Sequence, residues 1–140
     1  MFNKKILFLL TAASILLLST TLHAEGRQVR VIKVQAAINP TIAEFVISSI
    51  KKAAVSGNEA IIIELDTPGG LDTSMRDIVK ELLSPPLPVI VYVHPGGGRA
   101  ASAGAVITIA ANIAAMSHGT NIGAAHPVNM GGGEVSKEMN

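Results

Sequence analysis

Two short runs of β-branched residues each end in a glycine-rich turn, and this arrangement restricts the fold more than any other feature of the chain. Ile61–Ile63 is followed by Pro68–Gly70, and Val89–Val93 is followed by Gly96–Gly98. β-Branched residues favour strands, and glycine-proline clusters end them. Between the two runs, Leu71–Leu83 has apolar residues at helical spacing. This order predicts an α/β domain with a parallel sheet and a functional site at the carboxyl ends of its strands.

The segment before these runs predicts one more strand and helix. Val29–Val34 alternates as a strand does, and Ile42–Ala54 has helical spacing. Asn39 and Thr41 are both candidates for the residue that caps this helix, because their side chains can accept from free amides of the first turn. Pro40 fits the first helical position, where a missing N–H costs nothing.

Ser102 is the candidate nucleophile of this chain. It lies among small residues in Arg99–Ala105, directly after the second glycine turn. The following apolar segment could carry it on the first turn of a buried helix, where the helix dipole and free amides favour negative charge. Two amides of Gly69 and Gly70 could then form an oxyanion hole. The alternative is that Ser102 only caps the helix.

Three separated motifs give the chain its resemblance to a known family. They are D-T-P-G-G at Asp66–Gly70, A-S-A-G at Ala101–Gly104, and the run Gly119–Pro127. In this order and spacing they resemble the serine peptidases of ClpP/crotonase fold, and among these the NfeD family, or stomatin operon partner proteins. The resemblance extends over Gln28–Pro127. It implies an α/β fold of ClpP/crotonase type, with Ser102 as the nucleophile and the glycines of D-T-P-G-G on the oxyanion side.

The general base is the point at which the sequence departs from the family pattern. The resemblance implies a lysine that opens a helix after a flexible loop, and Gly131–Gly133 looks like that loop. Lys137 lies inside it, short of the expected position, so we expect the base to be a lysine beyond Asn140 in a longer protein. Lys137 itself is one alternative. His126 is another, because ClpP-type peptidases use a histidine at a similar distance after the serine, and a neutral imidazole is a competent base.

Several other polar residues could have either a structural or a functional role. Asp66 either joins the catalytic group or organises the turn by accepting from nearby amides. Asp72 and Thr73 are expected to cap the second helix. Arg99 is either a ligand for a substrate carboxylate or a solvated loop charge.

Two further histidines have weaker claims to the role of general base, and one glycine run could suggest a phosphate-binding loop. His94 and His118 each lie beside a turn glycine or proline, where polar surface residues are common. Gly131–Gly133 is not followed by a lysine-serine pair, so a nucleotide-binding loop is excluded. We expect no metal and no cofactor.

The amino-terminal segment has the pattern of a secretory signal peptide. A short basic start, Met1–Lys5, precedes the apolar run Ile6–Leu18 and a more polar end with Ala24 at the cleavage position. The apolar run is short for a membrane span of about 20 residues, which favours cleavage over anchoring. We therefore expect residues 1–24 to be removed during export, leaving an incomplete peptidase domain over 25–140.

Composition limits the partners of the domain. The net charge is +1, aromatic residues are 3% of the chain, and there is no cysteine. Without a basic patch or stacking residues, nucleic acid is not an expected partner, and no disulfide can form.

The family resemblance implies an exported or membrane-associated endopeptidase that cleaves apolar peptide segments. It also implies a peptide or membrane-protein substrate of stomatin type, a homo-oligomer of at least two copies, and a full-length protein held at the membrane with this domain outside the cytoplasm. Two other classes are open on the sequence alone. The first is an inactive binding or scaffold module that keeps the fold but lacks the base. The second is a crotonase-type acyl-CoA enzyme, against which the export signal argues.

Overall fold

A computed structural model describes residues 26–124 of the chain. Within this range nine helices and strands follow one another, with each strand of the larger sheet separated from the next by a helix. In chain order they are β1 Val29–Gln35, α1 Pro40–Val55, β2 Ala60–Asp66, α2 Asp72–Leu83, β3 Val89–Val93, β4 Arg99–Ala101, α3 Ala103–Ala110, β5 Ile113–Met116 and β6 Asn121–Gly123.

The larger sheet has four parallel strands in the order β1-β2-β3-β5. Its register aligns Val31, Ile62, Ile90 and Ile113 in one row across all four strands. A second, two-stranded parallel sheet pairs β4 with β6. The parallel α/β architecture predicted from the sequence is therefore confirmed.

One face of the four-stranded sheet forms the hydrophobic core with the three helices. Alternate residues of β2 and β3 are buried, because successive side chains of a strand point to opposite faces. Strand residues of this face and apolar residues of α1, α2 and α3 form a single buried cluster. Its most fully buried members include Val34, Ile50, Ile61, Ile63, Leu65, Ile78, Leu82, Val89, Val91 and Val93.

The long elements lie where the sequence predicts them. The strand at Val89–Val93 has the predicted bounds. β1, α1 and β2 extend one to three residues beyond the predicted bounds at an end, and α2 begins one residue later than predicted, at Asp72. The three short strands β4, β5 and β6 were not predicted, since three or four residues are too few to show a period of two. Between residues 26 and 124, none of the helices has the length and apolar character needed to cross a bilayer.

The structure decides between the predicted helix caps. Asn39 caps α1, with its side-chain Oδ1 accepting from the Ile42 N–H at 2.9 Å, and Pro40 opens the helix. The prediction for α2 is wrong, because Leu71 occupies the cap position and no side chain caps the first turn. Asp72 lies one residue inside the helix and accepts from Arg76 Nε at 2.7 Å, one turn further along. A carboxylate at the first helical position interacts favourably with the helix dipole. Here it also pairs with the arginine four residues on, and it does not cap the helix.

Asn39→Ala should lower the free energy of unfolding by about 1 kcal/mol, because loss of the Asn39 side chain leaves the backbone N–H of Ile42 without its acceptor. Thr41→Ala is the matched control in the same turn, where the side chain is exposed, and should change stability by less than about 0.5 kcal/mol. Chemical denaturation of both variants measures the difference. Equal losses would contradict the assignment of Asn39 as the cap.

Candidate active site

Ser102 lies between β4 and α3 in a strained backbone conformation. Its φ is 51° and its ψ is −115°, whereas few non-glycine residues have positive φ. It is the cap residue of α3, one residue before the predicted first turn, yet its side chain makes no capping hydrogen bond. A serine on a sharp strand-to-helix turn is the arrangement that exposes a nucleophilic hydroxyl in other hydrolases. The Ser102 hydroxyl therefore does not cap the helix.

Backbone hydrogen bonds on both sides keep Ser102 in this conformation. Its N–H donates to the Gly123 carbonyl of β6 at 2.9 Å, and its own carbonyl accepts from Ala105 N at 2.9 Å. On the preceding strand, Thr67 N donates to the Arg99 carbonyl at 2.7 Å, and Ala101 N donates to the Thr67 carbonyl at 3.1 Å. A rare backbone conformation persists when its surroundings determine it in this way.

Gly69 lets the turn after β2 approach Ser102 closely. A Cβ at Gly69 would lie 2.8 Å from Ser102 Cβ and 3.3 Å from its Oγ, and the glycine φ is +109°. The turn is closed by Thr67, which is fully buried. The Thr67 Oγ1 accepts from Gly69 N at 3.1 Å and donates to the Gly69 carbonyl at 3.2 Å. The hydroxyl of Thr67 is thus satisfied inside the turn, and its bonds leave Gly69 next to the serine.

The backbone N–H and C=O of Gly70 point away from the neighbouring segment at Ile38. Ile38 N donates to the Gly69 carbonyl at 2.8 Å, and Leu71 N donates to the Ile38 carbonyl at 2.9 Å. In a trans peptide the C=O and the next N–H point in opposite directions, so the Gly70 N–H and C=O both point away from Ile38. Among residues 26–124 the Gly70 N–H has no backbone acceptor.

The predicted pair of oxyanion glycines therefore differs in the use of its amides. The N–H of Gly69 is occupied by Thr67, whereas that of Gly70 is available. A second available amide is that of Ala103, the first residue of α3, because the first amides of a helix have no partner within the helix. Ala103 is not among the site residues predicted from the sequence. Its signal was the start of an apolar helical segment directly after the serine.

Asp66 connects the two glycine turns. Its Oδ1 accepts from the Arg99 N–H at 3.0 Å, across 33 residues of sequence. The carboxylate thus bonds the backbone of the second turn, at the start of β4, and the first turn is closed by Thr67 instead.

The remaining predicted residues divide into those that the structure places and those outside it. His94 stacks on Tyr92 with ring centroids 5.2 Å apart, and its buried Nδ1 has no hydrogen-bond partner in the described structure. His118 is exposed in the turn between β5 and β6. Within residues 26–124 no three His, Cys, Asp or Glu side chains are arranged to hold a metal ion. Gly131–Gly133 and the base candidates His126 and Lys137 lie outside the described residues.

The parallel sheet, the glycine turn after β2 and a serine on a strand-to-helix turn together define a ClpP-like α/β fold. Comparison with known proteins agrees and is more specific: residues 28–140 match the family model described as the N-terminal domain of NfeD1b. The chain belongs to this family.

Similarity to characterised relatives covers part of their length. The membrane-bound protease PH1510 of Pyrococcus horikoshii is 51% identical over 70 residues, which are 50% of this chain and 16% of that protein. A solved lysine-to-alanine mutant of the 1510-N membrane-bound stomatin-specific protease, in complex with a substrate peptide, superposes with a TM-score of 0.72 and 39% identity. That superposition covers 74% of this chain and 48% of the other.

Two further structures support the same fold. A serine-to-alanine mutant of the 1510-N protease has a TM-score of 0.70 and 40% identity, over 71% of this chain and 48% of that one. ClpP1 from Listeria monocytogenes has a TM-score of 0.53 and 28% identity, over 59% of this chain and 46% of its own. The chain thus spans about half the length of these solved structures.

Gly69→Ala should destabilise the domain by more than the usual cost of an alanine at positive φ, about 1–2 kcal/mol, because its Cβ would also collide with Ser102. Gly57→Ala is the matched control, since its φ is +72° and a Cβ there meets nothing within 4 Å. Denaturant midpoints of the two variants separate the steric cost from the conformational cost. Equal destabilisation would show that the turn can move away from Ser102.

Proposed function

We propose that the chain is the protease domain of an NfeD-type serine endopeptidase, with Ser102 as the nucleophile. The observation that supports this most directly is the conformation of Ser102, whose side chain makes no capping bond at a strained strand-to-helix turn, directly against Gly69. The description of the P. horikoshii relative as a membrane-bound protease agrees with it.

The proposed reaction is acyl transfer to serine followed by hydrolysis. Ser102 Oγ attacks the carbonyl carbon of the scissile peptide bond while a base takes the hydroxyl proton. The carbon–nitrogen bond then breaks, and the proton passes to the leaving amine. Water next attacks the Ser102 ester, so that the carboxylic acid product leaves and the hydroxyl is restored. No metal or cofactor takes part in this proposal.

Two backbone amides are proposed to stabilise the charge that develops on the carbonyl oxygen. The Gly70 N–H points away from Ile38 and is available, and the Ala103 N–H begins α3 next to the serine. Both amides are fixed before the substrate arrives, which is the condition under which such donors stabilise a transition state most. Gly69 then serves to bring the turn close to the serine, and its own N–H stays bound to Thr67.

The base is proposed to be a lysine outside the described residues. A lysine-to-alanine mutant of the 1510-N protease was solved with a substrate peptide, which is the form expected when replacing a lysine stops turnover. A catalytic lysine must be desolvated to lose its proton near neutral pH. Lys137 and a lysine after Asn140 are the candidates, and His126 is the alternative base.

The substrate and location are proposed from the relatives. The 1510-N protease is described as specific for stomatin, which suggests an apolar segment of a membrane protein as the substrate here. We propose that residues 1–24 direct export, and that the full-length protein is membrane-bound, at least dimeric, and carries this domain outside the cytoplasm.

Ser102→Ala should abolish both peptide hydrolysis and labelling by a serine-reactive phosphonate in the full-length protein, with little change in stability because small residues surround it. Ser84→Ala is the matched control, an exposed serine at the end of α2. Labelling followed by mass spectrometry of the modified peptide identifies the reactive residue. Hydrolysis that survives in Ser102→Ala would contradict the proposed nucleophile. A wild-type protein that neither labels nor hydrolyses any peptide would identify a binding module instead.

His126→Ala should leave kcat of the full-length protein nearly unchanged, whereas alanine in place of the lysine base should lower it by about 10²–10⁴-fold, the usual contribution of a general base. Testing Lys137→Ala and then each later lysine by steady-state kinetics locates the base. If His126→Ala is inactive and no lysine variant is affected, a serine-histidine pair replaces the proposed serine-lysine pair.

A further inference from the structure

A polar cleft opens at the carboxyl ends of β1 and β2, beside the candidate active site. Its volume is about 600 Å³, and four of its lining residues have polar side chains: Gln35, Asp66, Arg99 and Asn121. This end of a parallel sheet is where α/β proteins place their ligands. None of these four residues belongs to the hydrophobic core. The cleft therefore suits a polar or charged part of a ligand.

The cleft lies within reach of a peptide bound at Ser102. Pro68 lines the cleft, and the next residue is Gly69, which contacts the serine. Arg99 is three residues before Ser102 on the strand that leads to it. At about 3.3 Å per residue of extended chain, this separation is roughly 10 Å, the length of three residues of an extended substrate.

Arg99 carries a positive charge whose backbone position is fixed. Its N–H donates to Asp66 Oδ1 at 3.0 Å, and its carbonyl accepts from Thr67 N at 2.7 Å. Its side chain is exposed, and none of the ion pairs among residues 26–124 includes it. Asp66, a carboxylate that lines the cleft, is bonded to the backbone N–H of Arg99, and the ion pairs of the described residues do not include it.

We propose that Arg99 makes this cleft a binding site for a carboxylate of the peptide substrate, and thereby favours cleavage close to an acidic group. The planar guanidinium binds a carboxylate through two parallel hydrogen bonds, which a neutral or basic group cannot form. The carboxylate comes either from an Asp or Glu side chain or from the carboxyl terminus of the peptide. This inference rests on the proposed function, because it takes the peptide at Ser102 as the reference point.

Binding to the full-length protein in a Ser102→Ala background tests the proposal without turnover. The probes are fluorescent apolar peptides that differ only in charge. One set carries Glu, Gln or Lys at each position in turn with an amidated end, and another carries Gln with a free carboxyl end. Fluorescence anisotropy should show tighter binding of a Glu peptide or of the free carboxyl peptide, and the set that gains affinity identifies the source of the carboxylate. Raising the salt concentration should reduce that gain.

Charge reversal at Arg99 should reverse the preference. Arg99→Glu should weaken binding of the carboxylate peptides by about 2- to 5-fold, the range expected for loss of an exposed ion pair, and should strengthen binding of the Lys peptides. Arg99→Lys should keep a reduced preference. Arg30→Glu is the matched control, because Arg30 is exposed on β1, makes no ion pair in the described structure and does not line the cleft.

Three results would overturn the proposal: equal effects of Arg99→Glu and Arg30→Glu, an unchanged preference in Arg99→Glu, or no binding of any peptide by Ser102→Ala. Phosphonate labelling of the wild-type protein tests the nucleophile separately. If peptide binding depends on Arg99 but the wild-type protein is not labelled by the phosphonate, the carboxylate site is supported and the proposed peptidase activity is rejected.

Discussion

The site depends on the close contact between the turn after β2 and the end of β4. Thr67 pairs with Ala100 through backbone hydrogen bonds, and Gly69 lies against Ser102 at a distance that no side chain could occupy. Every other feature of the site follows from this contact. It brings the two glycine turns to one edge of the sheet, where the Asp66 carboxylate accepts from the Arg99 N–H, 33 residues further along the chain. It also places an available amide of the first turn beside the serine that follows the second.

The same contact explains why an unfavourable backbone conformation is stable at Ser102. A serine with positive φ would relax in a free loop, but here its N–H is held by Gly123 and its carbonyl by the first turn of α3. The hydroxyl has no part in these bonds, so the fold bears the strain and leaves the side chain accessible. Stored strain of this kind is found where a side chain must be presented for chemistry. Because Gly123 accepts from the serine N–H, the end of β6 lies next to the nucleophile candidate.

Charge is distributed in the site by the backbone as much as by side chains. The groups proposed to stabilise the developing negative charge are two backbone amides. The Asp66 carboxylate, which lines the adjacent cleft, accepts from the Arg99 amide. This leaves Arg99 as the charged side chain of the cleft without a partner among the described ion pairs.

The sequence by itself determined the long elements, because their signals are local and repeated. The β-branched runs of β2 and β3 and the helical spacing of α1 and α2 each extend over several residues, and hydrophobic burial selects the same period. The glycine turns and the serine were also recognisable, since a turn needs residues without a bulky Cβ. Asn39 was named as one of two caps for the same reason, as its side chain reaches only the first turn of its own helix.

Only the tertiary structure decided how these parts meet. The strands β4 and β6 are three residues each and exist through pairing with distant segments, which no local pattern records. Which amide of the glycine pair is available depended on Ile38 and Thr67, which bind the neighbouring groups of the turn. The predicted cap of α2 was wrong for a related reason. Leu71 donates to the Ile38 carbonyl, and this bond places Leu71 at the position before the helix. Local composition shows which residues can turn, cap or react, but the partner of each backbone group is set by segments far away in the chain.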